Sequence, residues 1–354
     1  MNIKTIKSSK IGMFSDIHIG LGQDSSIWHN NILEFADWVV DLYDKKGISE
    51  IIIPGDIFHN RNEISVNTLS IAKDFFEKLS GFQIYISTGN HDCYYKDRTD
   101  INSISLLGKW NNITLIDKEP RLFRIAGSEK ILSMIPWGVE PKDIPPSDIC
   151  IGHFEITSFK MNTFKICEHG LESKDLFLKS PYIISGHFHN RTYRKYDRGE
   201  ILYLGSPYQQ NFGDVNSDRG VYIFDLLTNE YEFIENTISP THQKIFLSSI
   251  LDKKIDSDYL KKYVPGNMIS FVIDANITSD KISLISSKIQ KLNPKFFRTD
   301  YQNLDFNISL SATNNQYDSI NIPQNINDFI EALDVSHKSE ISSYLNELYH
   351  KIAV

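Results

Sequence analysis

Cysteine is scarce in this chain: three residues, Cys93, Cys150 and Cys167, in 354. They form no Cys-x-x-Cys pair and no metal-binding spacing. A disulfide framework and a thiolate metal site are therefore excluded, and three reduced, mostly buried thiols of a cytoplasmic protein are expected. Long apolar runs are missing too, since none reaches the roughly 18–20 residues needed to span a bilayer. The lysines of Met1–Lys10 are not followed by an apolar core, which argues against a secretory signal. Positive charge is short as well: 37 Lys and Arg face 45 Asp and Glu, for a formal net charge of −8. Such a surface does not attract nucleic acid as a whole, though it leaves room for a local basic strip or for a partner that shares the binding. No internal repeat and no low-complexity tract is found.

What is present is ordinary for a globular protein, with 41% hydrophobic and 23% charged residues. The length exceeds one typical domain of roughly 100–200 residues, so two domains or a domain with appendages are expected. Strand-like Lys10–Ser15, Glu50–Ile53 and Gln83–Ser87 alternate with amphipathic helices over about Ile27–Lys45 and Val66–Leu79. That order predicts a sheet that begins parallel. From about Leu122 short strands dominate, at Lys130–Ile135, Ser147–Ile151, Tyr182–Ser185, Thr192–Tyr196, Ile201–Leu204, Gly220–Phe224 and Tyr231–Ile234. The fold class read from this is α/β, a two-sheet sandwich flanked by helices over residues 1–240. After Ser239-Pro240, a strand at Met268–Ala275, a helix at Asp280–Leu292 and a strand at Leu304–Leu310 form a small α+β module, 241–310. The polar stretch 311–324 reads as a linker. The tail, 325–354, holds two amphipathic helices, one with Ile326, Phe329, Ile330 and Leu333 and one with Ile341, Leu345, Leu348 and Ile352.

Five short motifs stand in order at strand ends: Asp16-Ile17-His18, Gly55-Asp56-Ile57-Phe58-His59, Gly89-Asn90-His91-Asp92, Gly152-His153 and Gly186-His187-Phe188-His189. Each follows an apolar run, and carboxyl ends of strands are where open α/β sheets bind ligands. A lone Asp-x-His or Gly-His is weak, and Gly-Asn-His-Asp on its own could be a plain turn. All five together predict loops converging on one spot. Carboxylate, amide and imidazole donors suit Mn, Fe, Zn or Mg. Two ions roughly 3.5–4 Å apart need a shared ligand, and Asp56 is the candidate bridge. The motif glycines are expected to free φ where a strand turns to aim its next side chain. His29, His169, His242, His337 and His350 are assigned to core or surface roles.

This set of motifs resembles the calcineurin-like metallophosphoesterase superfamily. Gly-Asp-Ile-Phe-His, together with Tyr203-Leu-Gly-Ser-Pro-Tyr-Gln-Gln-Asn-Phe-Gly213, is similar to the SbcD type of double-strand-break repair nuclease, in its short phage recombination form. Phe58-His59 and Asp92 depart from the protein-phosphatase branch. The resemblance covers about Lys10–Phe212 and implies a metallophosphoesterase fold. It also implies two divalent ions, Mn2+ by family preference. Asp16, His18, Asp56 and His189 would hold the first, and Asp56, Asn90, His153 and His187 the second. His91 would protonate the leaving oxygen or steady the charge on phosphorus, with Asp92 orienting its ring or serving a turn, and His59 would contact the phosphate. DNA is the implied substrate and an SMC-like coiled-coil ATPase of the SbcC type the implied partner, docked by the tail. The module at 241–310 would be a capping domain beside the DNA, and the first two helices would pair a homodimer. The setting implied is the bacterial or phage-infected cytoplasm.

Basic side chains near the metal loops, Lys96, Arg98, Arg191, Arg194, Lys195 and Arg198, are candidate phosphate contacts or else a solvated strand pair. Two other readings stay open: a small-molecule or cyclic-nucleotide phosphodiesterase, and a non-catalytic binding scaffold on the same fold.

Overall fold

The structure, a computed structural model, describes residues 3–96, 98–161, 165–302, 330 and 337–352. The linker 311–324, the tail helix around Ile326–Leu333 and the strand expected at Leu304–Leu310 lie outside these, apart from Ile330. Residues Met1–Leu304 form one compact unit and Asp305–Val354 a second.

Sixteen strands are described: β1 (Lys4–Ile6), β2 (Lys10–Met13), β3 (Glu50–Pro54), β4 (Gln83–Ser87), β5 (Ile113–Ile116), β6 (Arg121–Ile125), β7 (Ile131–Ile135), β8 (Ile149–Gly152), β9 (Tyr182–Ser185), β10 (Thr192–Tyr196), β11 (Gly199–Tyr203), β12 (Gly220–Asp225), β13 (Tyr231–Glu235), β14 (His242–Phe246), β15 (Met268–Ile273) and β16 (Phe296–Tyr301). One sheet runs β13-β12-β2-β3-β4-β5 and is parallel from β2 to β5. Helices α1 (Ser26–Lys45) and α2 (Val66–Lys78) make its crossovers. Ser65 starts α2 by accepting the Thr68 N–H at 2.9 Å. The second sheet runs β1-β6-β7-β8-β9-β11-β10, with β7, β8, β9 and β11 parallel.

The two sheets face each other across a core of Met13, Ile52, Phe123, Met134, Ile151, Ile184, Leu202 and Phe224. Because side chains alternate along a strand, Ile51 and Ile53 point to the opposite side, where they pack under α1 and α2 with Ile32, Phe35, Val39 and Phe76. Strands covered on both faces read as unbroken apolar runs, which is why these strands were legible. The strands not foreseen are β1, β5, β6, β14 and β16. They are short or mix polar and apolar residues, as in Phe296–Tyr301, whose residues are exposed or half-buried. The three cysteines are free and buried, as expected.

After Pro240 a third sheet, β14-β15-β16, is wholly parallel. Helix α3 (Ser279–Gln290) connects β15 to β16, and Ile245, Leu247, Ile269, Phe271, Ile273 and Ile289 give this sheet its own core. In the second unit a helix spans Lys338–Ile352, where the last tail helix was read. Among the described residues no helix is long and apolar enough to cross a membrane.

Gly12 shows how closely α1 lies on the sheet. A Cβ there would sit 2.3 Å from the Tyr43 ring. The Tyr43 hydroxyl donates to the carbonyl oxygens of Met13 and Tyr222, at 3.3 and 3.0 Å. Gly12→Ala should therefore lower unfolding free energy by about 1–3 kcal/mol, read from the urea midpoint at constant slope.

Candidate metal centre

Strands β2, β3 and β4 of one sheet and β8 and β9 of the other all end toward one place. The loops after β2 and β3 are zipped together by backbone bonds: Asp16 N–H to Gly55 O at 3.2 Å, His18 N–H to Asp56 O at 3.1 Å and Ile19 N–H to Ile57 O at 2.8 Å. This fixes Asp16, His18 and Asp56 relative to one another. Asp16, His18, Asp56 and His187 all have positive φ, at 59, 53, 54 and 90°. Four non-glycine residues in that sparsely populated region store strain where five loops meet.

The glycines act in two ways. Gly55 turns with φ 92°, the role expected of all of them. Gly89 does not need that freedom. It needs room, because a Cβ would lie 2.2 Å from Asp56 Oδ1.

The seven candidate ligands come together in two groups. His18 Nε2 lies 3.1 Å from His189 Nε2 and 3.6 Å from Asp56 Oδ2, and His189 Nε2 lies 3.9 Å from Asp16 Oδ1. On the other side, Asn90 Oδ1 is 3.0 Å from His153 Nε2 and 2.9 Å from His187 Nδ1, while His153 Nε2 is 3.3 Å from Asp56 Oδ2. One oxygen, Asp56 Oδ2, thus stands between both groups. The His153 Nδ1–H faces the Pro54 carbonyl at 2.8 Å, which turns Nε2 toward the centre. His187 Nε2 and His18 Nδ1 are buried without a hydrogen-bond partner. Converging oxygen and nitrogen donors, with two carboxylates and no Lys or Arg among the seven residues, fit hard-to-borderline divalent ions.

Burial works to raise the Asp56 carboxyl, but His153 and His18 outweigh it and hold Asp56 well below the usual carboxylate range. Burial lowers His153, yet the Asp56 carboxylate lifts it to about 9. Burial holds His18 well below its ordinary value and takes His187 down to about 3. Burial raises Asp16.

His59 and His91 form the rim, half-buried and stacked at 5.7 Å. The His91 N–H donates to Asp56 Oδ1 at 2.8 Å, and its ring Nδ1 lies 2.6 Å from the His59 carbonyl oxygen. Of the two roles expected of Asp92, orienting the His91 ring or serving a turn, the ring contact is not the one found. The Asp92 carboxylate instead accepts four backbone N–H groups: Asp56 at 2.8 Å, Ile57 at 2.9 Å, Phe58 at 3.1 Å and Gly89 at 2.9 Å. The residue that orients the imidazole is His59, through its main chain.

Several supporting residues escaped sequence reasoning. The Tyr208 hydroxyl donates to Ile17 O at 2.5 Å and Gln210 Nε2 to Asp16 O at 2.6 Å, so the Gly-Ser-Pro segment straps the first metal loop. Buried Arg219 donates to the His189 carbonyl and pairs with Asp214 at 2.8 Å. The Trp137 ring packs 5.3 Å from His187 and 5.9 Å from His153. The motif Gly205-Ser206-Pro207 was the one signal for this support.

The basic candidates are less uniform. Arg194 lies over the Phe159 ring at 4.0 Å, Lys195 pairs with Glu200 at 3.1 Å and Arg98 with Asp100 at 3.1 Å. The Lys96 carbonyl accepts the Trp137 indole N–H at 3.1 Å. Arg198 is exposed at the β10–β11 turn. Arg191, stacked on Phe233, lines a cleft of about 390 Å³ with Lys160 and Asn190, next to His189.

Comparison with known proteins follows the same residues. The calcineurin-like phosphoesterase model matches residues 9–191. Exonuclease subunit 1 of Enterobacteria phage T4 is 28% identical over 360 residues, 96% of this chain and 98% of that protein. Putative phosphoesterase 078R of Invertebrate iridescent virus 3 is 24% identical over 196 residues, 51% of this chain and 54% of that protein. A solved archaeal phosphodiesterase aligns with 64% of this chain and 99% of its own, at 14% identity and a TM-score of 0.36.

Asp92→Asn replaces one acceptor oxygen with an N–H2 group facing backbone donors. It should cost about 2–4 kcal/mol of stability for the N–H groups left unpaired. It should also reduce the number of ions bound per chain, measured by metal analysis after dialysis. Wild-type stability and ion content together would show that the clamp is dispensable.

Proposed function

The chain belongs to the calcineurin-like phosphoesterase family and is a metal-dependent phosphoesterase; from that premise we propose that its substrate is DNA. In this reading it is an exonuclease and endonuclease of double-strand-break repair and recombination, the nuclease subunit beside an SMC-like coiled-coil ATPase. The observation that carries the reading is Asp56 Oδ2 standing between two donor groups, 3.6 Å from His18 Nε2 and 3.3 Å from His153 Nε2, with His91 on the rim. Similarity to exonuclease subunit 1 along 96% of the chain supports DNA over a small phosphodiester.

Asp16, His18, His189 and Asp56 would hold one ion, and Asp56, Asn90, His153 and His187 the other. The donor set suits manganese. When bound, two such ions supply Lewis-acid stabilisation of the phosphodiester and a nucleophile at neutral pH. The protein's own contribution is position and protons. With Nδ1 committed to the His59 carbonyl, Nε2 is the atom through which His91 gives a proton to the departing 3′ oxygen. His59, stacked on it, contacts the phosphate. Arg191 and Lys160 in the neighbouring cleft supply charge for the backbone of the strand.

The third sheet would act as the capping domain, the exposed Val66 and Leu69 of α2 belong to the surface proposed for a second copy, and the tail would dock the ATPase. Free cysteines accord with a cytoplasmic setting.

With Mn2+ and end-labelled duplex, wild type should cut and Asp56→Ala should not. His91→Asn should keep its bound ions and lose about 10²–10⁴-fold in turnover. Cutting by His91→Asn at the wild-type rate would remove it as proton donor. Removing residues 325–354 should abolish capture of the ATPase in a pull-down while leaving cleavage of short duplexes intact. Undiminished capture would refute tail docking.

A further inference from the structure

A second cavity, of about 300 Å³, lies between α1, the Gly-Ser-Pro strap and the third sheet. It sits at the small end of ligand-binding clefts and has room for a single planar group rather than a duplex. Its walls are aromatic. The Trp28 and His242 rings stack at 5.9 Å with 22° between planes, Phe212 meets His242 edge-on at 4.8 Å, and Phe296 is 40% exposed at the mouth. The Arg298 guanidinium lies 4.3 Å over Phe212, its Nε held by Asp300 at 2.9 Å.

Among this lining no carboxylate occurs, and Gln210, Asn211 and Ser25 are its uncharged polar members. His242 is 3% exposed, and its Nδ1 has no hydrogen-bond partner. Burial takes this imidazole down to about 4, so it is neutral and packs as a flat ring in the aromatic wall.

The wall is also tied to the metal centre. Gln210 lines the cavity and donates through Nε2 to the Asp16 carbonyl at 2.6 Å, and Gln209 accepts the His242 N–H at 2.6 Å. A ligand resting on Gln210 is therefore one hydrogen bond from the backbone of a candidate metal ligand.

We propose that this cavity receives one unpaired nucleobase of the strand whose phosphate lies at the metal centre. The base would lie on the aromatic lining, with Arg298 beside the adjoining phosphate. Flat aromatic faces hold any base, so the pocket reads strandedness and not sequence. The inference rests on DNA being the substrate, and it adds a preference for frayed or single-stranded ends.

The test needs no cleavage. The full chain, kept in chelator, is titrated with a single-stranded oligonucleotide carrying 2-aminopurine, and with the same strand bearing an abasic site. Binding should quench the 2-aminopurine, and the abasic strand should bind about tenfold more weakly. Phe296→Ala and Arg298→Gln, both at exposed positions and checked for an unchanged thermal midpoint, should bind both strands alike and weakly. An abasic strand bound as tightly as its parent overturns the proposal and leaves the nuclease reading intact. If a free deoxynucleoside monophosphate quenches Trp28 while base removal from the strand has no effect, the pocket is a free-nucleotide site and the strand reading falls. Failure of Mn2+-dependent cutting in wild type, with base binding intact, would count against the nuclease reading alone.

Discussion

One carboxylate holds the centre in shape. Asp92 accepts backbone N–H groups from Asp56, Ile57 and Phe58 and from Gly89. It thereby locks the turn after β3 onto the turn after β4. Burial and the neighbouring Asp56 charge push it up to about 7, against the pull of those N–H donors. Cations at Asp56 would relieve that repulsion, so the clamp and the ion site favour each other. The position of Asp56 Oδ2 between two donor groups follows from this arrangement. A loop free to drift by an ångström would open one group or the other.

How far the sequence could be read depended on which kind of interaction did the work. Strands buried on both faces, such as Glu50–Pro54, announce themselves through composition. Candidate ligands at their ends announce themselves by type and order: Asp16, His18, Asp56, Asn90, His153, His187 and His189 all arrive at one place. Residues that act through a backbone carbonyl or N–H leave no such trace. Tyr208, Gln210 and Arg219 hold the metal loops from sites 191, 194 and 30 positions away along the chain, and no local pattern relates them. Asp92 was visible as a residue, with ring orientation and a turn role both open, and the choice between them depended on backbone N–H groups more than thirty positions away, which no local pattern shows. β16 was missed because an exposed, mixed strand such as Phe296–Tyr301 lacks the alternation that marks a half-buried one.

The surface charges give the same lesson in reverse. A cluster such as Arg191, Arg194, Lys195 and Arg198 is conspicuous in sequence, but two of its members spend their charge within the fold, on Phe159 and on Glu200. Arg191 stacks on Phe233 and lines a cleft with Lys160 and Asn190, a placement that the other three members of the cluster do not share.

The centre draws on residues from Asp16 to His189, taken from both sheets. No contiguous stretch of the chain carries even one complete group, because His18 needs His189 and Asn90 needs His187. Contacts so distant in sequence carry a large loop-closure cost and need both sheets in place. A nascent chain on the ribosome therefore cannot assemble either group until the β9 loop has emerged. The spread of ligands along the polypeptide acts as a checkpoint that ties chemical competence to a finished sandwich.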